Sequence, residues 1–72
     1  MDKENYAAAI NVCKISVKLS PNSWAAYKTL ADAYLKNKQN DMALVNYEKS
    51  IDLNPDNPEI RTIADQLRKT KQ

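Results

Sequence analysis

The chain has 72 residues, a formal net charge of +2 with acids and bases intermixed, a single cysteine, and no glycine or histidine. No disulfide can close within it, no glycine-rich phosphate loop can form, and neither a cysteine nor a serine nucleophile has a histidine base. A zinc site would have to be built from one thiol and carboxylates, and so small a charge excess is no trap for nucleic acid, so we expect no catalytic residue, no metal, no cofactor and no nucleic-acid partner.

Breaks at Ser20-Pro21-Asn22-Ser23, Asn37-Lys38-Gln39-Asn40 and Asn54-Pro55-Asp56-Asn57-Pro58 leave four stretches that read as helices, near 3–19, 24–37, 41–53 and 58–70. Short connections make consecutive helices pack antiparallel, so the expected fold is all-α, an antiparallel helical-hairpin array of four helices. In the first helix Tyr6, Ala9, Ile10, Cys13 and Val17 form the expected inner face. A second apolar stripe, Ala8, Val12, Ile15 and Leu19, runs along another side at 4-3-4 spacing, whereas the matching residues of the third helix, Met42, Asn46, Lys49 and Leu53, include Asn46 and Lys49 as exposed polar members. A helix apolar on two sides is normally covered on two sides. This stripe is therefore a candidate self-association face, for a homodimer or for an upstream domain; otherwise it folds under the compact array.

Ser23 is placed to cap the second helix, and Asn37 or Lys38 to close it in a left-handed conformation, Asn being the cheaper choice. Asn57 is placed to cap the fourth helix, with Pro58 at its first position, where the missing N–H does no harm. No apolar run approaches the roughly 20 residues of a membrane span. Met1 to Asn5 is too polar for a secretory signal, and the lone thiol suits a reducing compartment. The location is cytoplasmic by default, and open if the segment is cut from an exported protein.

The chain also repeats itself. Leu19-Ser20-Pro21-Asn22 returns as Leu53-Asn54-Pro55-Asp56, an offset of 34 residues, and at that offset Ala9 meets Ala43, Ile10 meets Leu44, Ser16 meets Ser50 and Val17 meets Ile51. A period of this length is that of stacked helical hairpins. Ala31, Ala43 and Ser50 are small where two helices approach closely, and Tyr27, Leu30, Tyr34, Leu44, Tyr47 and Ile51 fill the space around them. Cys13 stands where Tyr47 does, as a small buried hydrophobe.

The positions Tyr27, Leu30, Ala31, Tyr34, Ala43, Tyr47 and Pro55 meet the pattern W-x2-L-G-x2-Y…A-x3-F…P, with Tyr for Trp, Ala for Gly and Tyr for Phe. In this the chain resembles the tetratricopeptide repeat family, whose hairpins stack into a superhelix. The resemblance divides a single domain, 1–72, into the second half of a repeat (1–23), a complete repeat (24–57) and a C-terminal capping helix (58–72). In the last of these Arg61, Asp65 and Arg68 replace Tyr27, Ala31 and Tyr34, while Ile60, Ile63, Ala64 and Leu67 keep an inward stripe. That is a solvated cap, as repeat arrays require. The first half-repeat, without its first helix, reads as a chain cut from a longer one.

What the resemblance implies is a protein–protein interaction or scaffolding module that holds a peptide or partner domain. In the family the first helices line a concave groove; here that face carries Ala25, Lys28, Asp32, Leu35 and Lys36, continued by Glu59, Thr62, Gln66 and Lys69. One subgroup grips C-terminal carboxylates with Lys and Asn clamps. Lys28 fits that pattern, but Asp32 replaces the Asn, and Glu59 and Ile63 replace later basic residues, so capture of that kind is disfavoured. A further similarity, in the run from Pro21 through Trp24, Tyr27 and Leu30 and in Leu53 to Asn57, is to repeat tails of some bacterial serine hydrolases of the penicillin-binding and β-lactamase-like group. On that alternative the chain is a non-catalytic structural tail of a larger enzyme. The third alternative, nucleic-acid binding through Arg61, Arg68, Lys69 and Lys71, is the weakest: Glu59 and Asp65 dilute the charge, which serves to keep the cap soluble.

Overall fold

A computed structural model describes residues 5–70. They form α1 (Tyr6–Leu19), α2 (Trp24–Lys36), α3 (Asn40–Leu53) and α4 (Pro58–Thr70), with α1 packed on α2, α2 on α3 and α3 on α4. The four expected helices are present, arranged as an all-α antiparallel hairpin array.

Local chemistry sets the ends. The Asn5 carboxamide oxygen accepts from the Ala8 N–H at 3.2 Å and caps α1 at Tyr6; positions 3 and 4 of the expected helix lie outside the described residues. Ser23 caps α2 through its hydroxyl, which accepts from the Ala26 N–H at 3.2 Å. Pro58 opens α4, and the Asn57 carbonyl accepts from the Arg61 N–H at 3.1 Å. Basic residues close three helices, Lys18, Lys36 and the Arg68–Lys69 pair, where they oppose the negative end of the helix dipole.

Between the two left-handed candidates the turn after α2 uses Lys38, at φ 60°, while Asn37 stays at φ −86°. The cause is the helix end itself. α2 stops at Lys36, Asn37 is the cap, and the left-handed position falls one residue later. The Asn37 amide donates instead to the Gln39 side chain at 2.6 Å, and the Gln39 N–H reaches back to the Tyr34 carbonyl at 2.9 Å.

The core lies chiefly along α2 and α3. Ala31, Ala43, Tyr47 and Ser50 are all 0% exposed, with Leu30, Ala33, Tyr34 and Leu44 buried around them. Small side chains let the α2 and α3 backbones approach, and the Ser50 hydroxyl donates to the Trp24 carbonyl across that contact at 2.9 Å. Tyr27 and Ile51 are half-buried, at the rim of this cluster. On α4, Ile60, Ala64 and Leu67 are buried and Ile63 half-buried, while Arg61, Asp65 and Arg68 face solvent.

Two expectations for helix faces are corrected. Ala9, assigned to the inner face of α1, is exposed, because no described helix lies on the side of α1 that α2 occupies on α3. Asn46, read as an exposed polar position when α3 was matched to α1, is buried at 8% exposure, and its amide donates to the Met42 carbonyl at 2.8 Å.

Candidate partner-binding surfaces

Two surfaces come forward from the residues. The first is the side of α2 and α4 assigned to the groove. Lys28 and Asp32 stand one turn apart on α2, and their ammonium and carboxylate pair at 2.9 Å. The other Asp32 oxygen accepts the hydroxyl hydrogen of Tyr47, reaching from α3. One carboxylate thus joins a core phenol on one helix to a partly exposed cation on another.

The electrostatics follow from that arrangement. Burial, then the bond to Asp32 and its charge, push the Tyr47 phenol far above its ordinary range, so it remains a donor. The bond to Asp32 and its charge raise the Lys28 ammonium, and Glu59 on α4 is near enough to add to the rise. Burial pushes the Cys13 thiol up, and the Asp32 charge adds to it. A raised pKa leaves Cys13 as thiol rather than thiolate at neutral pH, in keeping with a small half-buried hydrophobe.

Lys28 and Asp32 are therefore paired on α2, and the charge of Glu59, on α4, reaches Lys28. Leu35 is half-buried and packs against the core, while Ala25, Lys36, Gln66 and Lys69 are exposed. The Thr62 hydroxyl is turned back on its own helix, donating to the Pro58 carbonyl at 2.9 Å. Sequence reasoning placed Tyr47 in the core alone and did not find its hydroxyl beneath this face. The available signal was a buried tyrosine on one helix opposite an acid in the middle of the preceding one, since a buried phenol needs an acceptor.

The second surface is the outer side of α1. Val12, Ile15 and Leu19 are 62%, 57% and 79% exposed, and Ala8 is exposed beside them. They are not folded under the array.

The basic residues of α4 do not form an open cationic patch. The Arg68 guanidinium lies 3.0 Å from Glu48 and 2.6 Å from Asp65, and Arg61 donates to the Pro55 carbonyl at 3.2 Å. Lys71 lies outside the described residues. No helix among those described is long and apolar enough to cross a membrane.

Antiparallel helix pairs, stacked at a 34-residue period over small-residue contacts, define an α-helical hairpin repeat. Residues 24–57 match the family model described as tetratricopeptide repeat. That stretch, residues 24–57, is thus a tetratricopeptide repeat. No curated protein matches the chain significantly.

Proposed function

We propose that the chain is a protein-interaction or scaffolding module with no catalysis of its own, and that it holds an extended peptide or a partner domain along the α2–α4 side. The observation that carries this reading is the Lys28–Asp32 ion pair on α2, held from within by the Tyr47 hydroxyl, with the charge of Glu59 on α4 reaching Lys28. Such a surface orients a polar peptide, with Ala25, Thr62 and Gln66 available alongside. It does not favour a carboxylate terminus, because Asp32 already engages the Lys28 ammonium and Glu59 stands near it. The bare α1 face suits a scaffold as well, whether the chain stands alone or is the non-catalytic tail of a larger enzyme.

Selection of random displayed peptides on the immobilised chain tests the groove, followed by amide shift mapping of the enriched sequences. Shifts are expected at Ala25, Lys28, Asp32, Leu35, Thr62 and Gln66, and Lys28→Glu is expected to weaken binding at least tenfold. Enriched peptides that map only elsewhere, or that bind Lys28→Glu equally well, refute the groove.

A further inference from the structure

We propose that the chain carries a second binding site, for a compact carboxylate, in a cleft of about 360 Å³ between α1, the end of α2 and the start of α3. The floor of the cleft is Ile10 and Tyr34, 6% and 4% exposed. Its rim carries Asn11 and Lys14 from α1 and Gln39 from the turn after α2. Tyr34 stands two residues past Asp32, about 200° round the helix, so this is not the groove face.

The cleft is rich in uncommitted donors. Among the described residues the buried Tyr34 hydroxyl makes no hydrogen bond, the Lys14 ammonium makes no ion pair, and the Asn11 amide is unpaired. The Gln39 carboxamide oxygen accepts from Asn37, which leaves the Gln39 amide hydrogens to donate. No acid lines the cleft. A buried hydroxyl without a partner costs stability, so a tyrosine in this place calls for an acceptor.

The repeat itself shows which acceptor fits. At an offset of 34 residues Lys14 and Tyr34 become Glu48 and Arg68, and Ile10 becomes Leu44. At that α3–α4 contact the carboxylate belongs to the chain: Glu48 on α3 accepts from the Arg68 guanidinium on α4 at 3.0 Å. At the α1–α2 contact a cation replaces the acid and a phenol replaces the guanidinium. Both side chains are then donors, and the carboxylate between them comes from a ligand. Lys14 supplies charge, Tyr34 and Gln39 supply hydrogen bonds that an anion strengthens, and Ile10 and Met42 give a short stem an apolar wall. The group arrives either on a free short-chain acid or as an acidic side chain of a peptide, since both bring the same chemistry.

Nuclear magnetic resonance titration of the isotope-labelled chain, at neutral pH and constant ionic strength, tests the site. The probes are valerate, a glutamate blocked at both backbone ends, and valeramide, which keeps the stem and loses the charge. Valerate or the blocked glutamate is expected to give saturable shifts at Ile10, Asn11, Lys14 and Gln39, with a dissociation constant on the order of 1–10 mM. Valeramide is expected to bind about tenfold more weakly. Lys14→Gln and Tyr34→Phe are each expected to weaken carboxylate binding by about three- to tenfold. Tyr34→Phe should leave the melting temperature unchanged or raise it, because the hydroxyl it removes has no partner within the described chain. The tighter of the two acids tells a free acid from a peptide side chain. The proposal is overturned by no saturable shift up to about 50 mM, by shifts confined to Lys28 and Asp32, by equal binding of valeramide, or by full affinity in either variant. Lys14 lies outside the groove, so peptide binding that survives Lys14→Gln leaves the groove reading standing whatever becomes of this one.

Discussion

Helices α1 and α3 hold equivalent places 34 residues apart in the repeat, yet their matched residues meet different surroundings. Ala43 and Ser50 are sealed beneath α2, while Ala9 and Ser16 look into solvent. Tyr47 fills the centre of the core, and its counterpart Cys13 is half-buried. Only the stripe that meets the next helix behaves alike, Ile10 on α2 and Leu44 on α4 both being buried. A residue pattern thus specifies the face a helix offers. Whether the face is buried depends on the helix beside it.

Paired substitutions put this contrast to measurement, and the largest effect belongs to Tyr47. Removing its ring, with nothing able to collapse into the space, is expected to cost about 3–5 kcal/mol, enough to unfold much of so small a chain. Cys13→Ala, at the matched place, is expected to cost about 1 kcal/mol or less. Urea melts followed by circular dichroism read both, and equal losses would mean that α1 is packed like α3. Next comes overpacking. Ala43→Leu is expected to cost about 1–3 kcal/mol by forcing α2 and α3 apart, and Ala9→Leu less than about 0.5 kcal/mol. A loss at Ala9 as large as that at Ala43 would place a covering helix on α1.

The smallest effect is one of pH. The folded chain raises both the Tyr47 phenol and the Lys28 ammonium, so folding binds these protons more tightly than the unfolded chain does. The resulting stability is complete below the ordinary values of about 10 and about 10.4, and falls as pH rises above them. Lys28 is substantially solvated, so most of the fall comes from Tyr47. Thermal melts between pH 8 and pH 11 should show a decline beginning near pH 10, flattened in Tyr47→Phe. From α1 the raised Cys13 thiol adds a small fall of the same sign that starts lower, above the ordinary thiol value of about 8.5.

The sequence disclosed the repeat, the four helices, the close small-residue contact and the inward stripe of α4, because each depends on spacing within one helix or on a period along the chain. It did not disclose the exposure of Ala9 or the burial of Asn46. Periodicity tells which face would be covered and is silent on whether a neighbour is there; a buried amide goes unnoticed when it bonds its own helix, as Asn46 does with the Met42 carbonyl. The left-handed place was narrowed to Asn37 or Lys38, and the cheaper residue was not the one used because helix ends shift by one residue and the turn follows them. Lys28 and Asp32 could be set on one face from their spacing. That Asp32 also binds Tyr47, 15 residues away on another helix, is a tertiary fact with no local signature.

That bond limits which ligands the proposed groove can accept. Asp32 is both an anion on the surface and the acceptor for a phenol in the core. A ligand cation that took the carboxylate for itself would strand the Tyr47 hydroxyl in the interior, at a cost of about 1–3 kcal/mol, or roughly 5- to 150-fold in affinity. A ligand that displaces only the Lys28 ammonium loses a solvated ion pair and little else. A groove at this place would therefore discriminate by what its partner leaves undisturbed. Peptides that bind beside Asp32 meet a rigid anion already held in place, and peptides that compete for it must loosen the hairpin to do so.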